Sequence, residues 1–146
     1  MSKTPLLIFI YGSLIAFVWE IYQMPFFEGG TLTPVEQSIR CGVASLGDGL
    51  ILLAGYWLAS LSAGANWPQR ASRTPFVIYF GFGLAVAVLV EAMATSLPQS
   101  SPLGWGYSKL MPMLPAVGLA AVPLAMWTIV PTLTLGLLRL GTGPTR

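Results

Sequence analysis

Four apolar stretches divide the chain, separated by short runs rich in Pro, Gly and polar side chains. A hydrocarbon core of about 30 Å needs roughly 20 helical residues at 1.5 Å each, and each stretch is about that long. Residues 5–24, 39–61, 75–97 and 116–138 are therefore expected to be membrane-spanning helices in a single all-α domain covering 1–146. Residues 26–38 read as an exposed loop, and residues 62–74 as a short basic one. Residues 98–115 hold too many Pro and Gly for a regular helix, yet are too apolar to be fully solvated. They are expected to fold back onto the mouth of the bundle. The fourth span, with Pro123 and Pro131 and no charge before Arg139, reads as a kinked wall.

Within this pattern the polar positions repeat at three- and four-residue spacing. Cys41, Ala44, Ser45, Asp48, Leu52 and Gly55 share one face of the second span, and Gly81, Leu84, Val88, Glu91 and Thr95 one face of the third. Glu91 stands between Val90 and Ala92 with no polar neighbour for several residues on its N-terminal side. A carboxylate there needs a partner, a proton or a cavity.

Composition fits the bilayer assignment: 55% of residues are hydrophobic, 8% charged, and the mean hydropathy is +0.74. Soluble domains carry about 25% charged residues. The Lys and Arg residues, 7 against 5 acids, sit at segment ends and form no patch, which argues against a nucleic-acid partner. Lys3, Arg70, Arg73, Arg139 and Arg146 fall on one side and Arg40 and Lys109 on the other, so both termini are expected in the cytoplasm. That orientation suits a bacterial-type inner (plasma) membrane. A cleavable leader is the alternative reading of the first span, but no Ala-x-Ala-like site follows it.

Chemistry is bounded by what is missing. With no His and a single cysteine, Cys41, the chain has no His-ligated metal or haem, no Ser-His triad and no internal disulfide, and no metal or cofactor is expected. Acid–base work falls to carboxyls. By rise per residue Glu20, Asp48 and Glu91 lie roughly 6, 14 and 9 Å below one membrane face, so three spans each place an acid in the same half. Arg40 and Lys109 are the cations at that mouth. The candidate catalytic residues are Glu91 as acid, Asp48 as base or cation stabiliser, and Glu20. Trp105, Tyr107, Arg40 and Lys109 are candidates for binding a substrate. Plainer readings exist for each: Glu20 snorkelling to the interface, Asp48 holding a helix pair together, and Trp105 and Tyr107 as interfacial aromatics. Met24, Met93, Met111 and Met113 with Cys41 also invite a soft-metal reading, though Met is an ordinary gap filler.

The run from Glu91 through Gly104-Trp105-Gly106-Tyr107 to Pro112 and Pro115 resembles the acid, Trp-x-Tyr loop and Pro of lycopene-cyclase-domain membrane proteins. Four short spans with buried acids are also similar to the emopamil-binding sterol-isomerase superfamily, and the chain as a whole resembles four-helix bacterial inner-membrane proteins without an assigned activity. These resemblances imply a lipidic or isoprenoid substrate and acid-catalysed isomerisation or cyclisation. A proton or cation pathway, alone or as a homo-oligomer, is a second expectation, and a structural or assembly subunit of a larger membrane complex a third.

Overall fold

In the computed structural model, residues 3–28, 32–70, 72–98, 101, 104–115 and 118–141 are described. The chain forms an all-α bundle of four helices, each long and apolar enough to cross a membrane. Helix α1 (Thr4–Gln23) begins with Pro5 in its first turn and runs into a short 3₁₀ turn, Met24–Phe26. Helix α2 (Pro34–Ala63) is the longest, at 30 residues. A second 3₁₀ turn, Trp67–Gln69, leads to α3 (Arg73–Ser96). A two-residue antiparallel hairpin, β1 (Met113–Leu114) with β2 (Leu119–Ala120), then precedes α4 (Ala121–Gly141).

Helix α2 starts five residues earlier than the 39–61 span expected from hydropathy, and the cause is local. Thr33 and Glu36 form a capping box: Glu36 N–H donates to Thr33 Oγ1 at 3.3 Å, and Thr33 N–H to Glu36 Oε2 at 2.8 Å. Pro34 at the first helical position needs no N–H partner. Residues 34–38 of the expected 26–38 loop are thus helix. The expected start of the fourth span at residue 116 lies outside the described residues. The backbone just before Ala121 is taken up by the hairpin, so α4 begins there.

The helices stand in a ring, α1 beside α2 and α4, α3 beside α2 and α4. Three of the four seams close on glycine. A Cβ on Gly12 would lie 2.6 Å from Leu52, one on Gly49 2.0 Å from Ser13 Oγ, one on Gly55 3.3 Å from Tyr79 and Phe82, and one on Gly83 2.4 Å from Trp127. Small residues let membrane helices approach where no hydrophobic drive exists between them. The α1–α4 seam has no such glycine pairing among the described residues, and between these helices lies an apolar groove of about 290 Å³ lined by Ile15, Val18, Trp19, Tyr22, Ile129 and Leu133. The outward faces carry Leu14, Val43, Leu89 and Leu140, all more than half exposed, as a lipid-facing surface requires.

One end of the bundle is plugged by the α2–α3 connection. The sequence reads 62–74 as a basic loop, but its Trp67 is wholly buried. Its Nε1–H donates to Tyr56 O at 3.3 Å, and its ring packs on Tyr56, Phe76 and Tyr79. Arg139, in the last turn of α4, donates from Nε to Pro68 O at 2.7 Å and lies 5.1 Å from the centre of the Phe76 ring. The opposite end is covered by the α3–α4 connection, folded back as its apolar composition suggests.

Candidate functional site

Glu91 sits one and a half turns before the end of α3 and is 3% exposed. Past α3 the chain turns sharply back: Trp105 N–H donates to Ala94 O at 3.4 Å, and Gly104 packs so closely that a Cβ would lie 2.2 Å from Pro98 O. Only glycine fits that approach. The returning segment is then stitched to the end of α1. Glu28 N–H donates to Gly106 O and Ser108 N–H to Phe26 O, both at 3.0 Å, and Phe27 pairs with Tyr107 in an antiparallel bridge. Ser108 Oγ–H adds a bond to Pro25 O at 2.8 Å.

This folding places Tyr107 over the Glu91 carboxyl. Its hydroxyl donates to Glu91 Oε1 and accepts from Trp105 Nε1–H at 3.2 Å. The same Oε1 accepts the Ala120 backbone N–H at 3.3 Å. That amide opens the approach to α4, where a helix N-terminus favours an acid. The second oxygen, Oε2, is buried with no partner among the described residues. Around the cluster pack Met111, Ala120 and Val122, with Trp19, Phe26, Phe27 and Tyr107 against them. Burial, then the bond to Glu91, pushes the Tyr107 phenol above its ordinary range, while the Trp105 N–H pulls the other way. The phenol is therefore a fixed donor at neutral pH.

The remaining expected site residues make no hydrogen bond to this cluster among the described residues. Glu20 Oε1 accepts from Gln23 Nε2–H at 2.8 Å, and Gln23 Oε1 in turn accepts from Trp19 Nε1–H at 3.0 Å, a chain confined to one face of α1. Glu20 is thus neither a bare snorkelling acid nor a partner of Glu91. Across the α1–α2 seam it lies within electrostatic reach of Asp48 and Cys41. Asp48 Oδ2 and, beside Gly49, Ser13 Oγ are buried there without partners among the described residues. The acids thus fall into two groups, Glu91 with the loop and α4, Glu20 with Asp48 between α1 and α2. Arg40 and Lys109 are exposed, and Arg40 lies in the field of Glu36. Met111 is buried in the cap, whereas Met93 and Met113 are exposed. Among the described residues no three Asp, Glu or Cys side chains gather closely enough to hold a metal ion.

Glu91, Trp105 and Tyr107 are legible from the sequence as candidates, and here they are joined in one hydrogen-bonded chain. The Ala120 amide is not legible, because a backbone donor carries no residue signature. Gln23 was within reach, since Trp19, Glu20 and Gln23 stand at i, i+1 and i+4. No family model, curated protein or solved structure matches the chain.

Proposed function

We propose that this protein binds a lipidic, isoprenoid-like molecule within a bacterial-type inner membrane, both termini in the cytoplasm, and that Glu91 is the group that meets the ligand's reactive or polar carbon. The observation that carries the reading is the asymmetry of the Glu91 carboxyl. Oε1 takes two donors, whereas the buried Oε2 has no partner among the described residues and is the oxygen left open to a ligand. A buried carboxyl with one oxygen held and the other open suits general-acid chemistry on an alkene. In the simplest isomerisation, Oε2 gives its proton to one alkene carbon, and the carboxylate recovers a proton from the carbon next to the resulting cation. Atoms and charge balance with no co-reactant, and Trp105 and Tyr107 supply aromatic faces for the cation. Access from the bilayer is supported by the α1–α4 groove, because Trp19 both lines that groove and packs on the cluster holding Ala120 and Tyr107.

The test is extraction of lipids that copurify with the wild-type protein and with Glu91→Gln. The amide keeps an acceptor for Tyr107 and Ala120 but cannot deliver the proton. Conversion of an isoprenoid probe should be lost while the protein stays folded. A Gln variant that converts the probe as the wild type does would falsify the reading.

One observation favours a second reading, in which the protein is a structural subunit of a larger membrane complex. Tyr107 and Ala120 belong to separate segments that meet on Glu91, so the acid also fastens the cap. On this reading Glu91→Gln is silent in every assay, and only loss of the acceptor does harm.

A further inference from the structure

Hydroxyls on the spanning helices mostly turn back onto their own backbone. Ser45 donates to Gly42 O at 2.9 Å, Ser60 to Tyr56 O at 2.7 Å, Thr95 to Glu91 O at 2.7 Å and Thr134 to Val130 O at 2.8 Å. Ser13, only 9% exposed, does not. Its Oγ reaches across the α1–α2 seam into the space that a side chain at position 49 would fill, and has no partner among the described residues. Asp48, next to that glycine, buries Oδ2, which also has no partner among the described residues. On α2 the acid shares one face with Cys41, Ser45 and Leu52, and Leu52 packs on Gly12 of α1. On α1, Phe9, Ser13 and Glu20 share one face, and the first two of these meet Gly49. Glu20 therefore follows the same seam about two turns nearer the capped end, within electrostatic reach of Asp48.

We propose that Glu20 and Asp48 form a proton-binding pair inside the membrane, with Ser13 as the hydroxyl that completes the Asp48 site. A carboxylate in hydrocarbon needs a donor, a cation or a proton, and Oδ2 meets no donor among the described residues. The groups around Asp48 supply no cation. Helix α1 brings Glu20 and Ser13, and α2 itself Cys41 and Ser45, while its Arg40 is exposed in the field of Glu36. Helix α3, on the other side of α2, carries Tyr79 against Gly55 and Glu91 in the cap. Two acids in one seam without a counter-charge hold one proton between them. That proton rests on Asp48, because Glu20 has a donor, Gln23 Nε2–H at 2.8 Å, to support its charge. Larger ligands are excluded where Phe9 and Ser13 close on Gly49, and a metal ion lacks a third acid or thiol among the described residues. A hydroxyl both donates and accepts, so Ser13 serves Asp48 in either protonation state, directly or through one water. When Asp48 is ionised, a proton from water at the capped mouth neutralises Glu20. The Glu20 O–H then breaks as the Asp48 O–H forms, and Glu20 returns to its charged, Gln23-bonded state. No co-reactant is needed, and Glu91 takes no part.

The experiment is infrared spectroscopy of the full chain in lipid nanodiscs at neutral pH, following the C=O stretch of protonated carboxyls on transfer from H2O to D2O. The wild type should show a band that Asp48→Asn removes, and that band should shift as its proton exchanges. Should Asp48→Asn fail to fold, Asp48→Glu makes the assignment by displacing the band. Glu20→Gln should keep the band but slow its exchange by at least about tenfold, less than a positioned acid–base group commonly contributes. Ser13→Ala should move the band, whereas a hydroxyl with no part in the site would leave it in place. Glu91→Gln should alter neither the band nor its exchange, which separates this site from the one in the cap. The pair is overturned if neither Asp48 variant changes a band, if the band never exchanges, or if exchange is as fast in Glu20→Gln as in the wild type. A band unmoved by Ser13→Ala, or altered by Glu91→Gln, would likewise count against the site as drawn.

Discussion

On the proposed reading the Glu91 carboxyl separates hydrogen bonding from proton delivery, and single substitutions can pull the two apart. Glu91→Gln preserves an acceptor for Tyr107 and Ala120, so thermal unfolding in detergent should change little. Glu91→Leu leaves the half-buried Tyr107 phenol and the buried Ala120 amide without their acceptor, at a cost of about 1–3 kcal/mol for a fully buried group, and its melting temperature should fall well below that of the Gln variant. If the Leu variant melts like the Gln variant, the carboxyl does not hold the cap. Tyr107 adds a pH signature. Its phenol is raised by burial and by Glu91, so the protonated form is the one the fold prefers. That contribution is fully present below the ordinary phenol value of about 10 and is lost as pH rises through the higher folded value. Wild-type melting should therefore decline at strongly alkaline pH more steeply than that of Tyr107→Phe, and parallel curves would argue against the linkage.

At the scale of elements, glycines decide how near the helices come. Gly83→Ala drives a methyl into the Trp127 ring and should destabilise by about 1–3 kcal/mol. Gly81→Ala, two residues away with nothing within 4 Å of its Cβ, should be neutral or better, by up to about 1 kcal/mol from helix propensity. Chemical unfolding of the two variants side by side checks the contrast, and equal effects would mean that the α3–α4 seam is looser than described. The existence of all four helices is legible in the sequence because hydrocarbon thickness fixes their length. Their ends are less so. The Thr33-Pro34-Val35-Glu36 signature of the α2 start is present, but hydropathy gives no weight to a polar first turn. Trp67 looks like one more interfacial aromatic, since nothing local says that its loop tucks inward. Glu91 is conspicuous from its apolar flanks alone. Grouping it with Asp48 and Glu20 rested on depth, which ranks residues along the axis but does not say which seam each one faces.

Over the whole molecule the separation of charge gives an expected orientation. With Lys3, Arg70, Arg73 and Arg139 at one end, the positive-inside tendency predicts that end in the cytoplasm. A reporter fused at the C-terminus should read cytoplasmic and one inserted between α1 and α2 external; the reverse pattern would invert the bundle. The ring arrangement has a consequence for assembly during translation. Helix α1 packs against α4, yet roughly a hundred residues separate them, so at 5–20 residues per second α1 waits about 5–20 s for that neighbour. A hydrogen-bonding group that depended on α4 would pass this interval unsatisfied in hydrocarbon. The Trp19–Gln23–Glu20 chain avoids the exposure, because donor and acceptor come from a single helix and are complete as soon as α1 forms. Glu91 has no such local supply: Tyr107 and Ala120 both emerge from the ribosome after it, and its cap is among the last parts of the protein to be built.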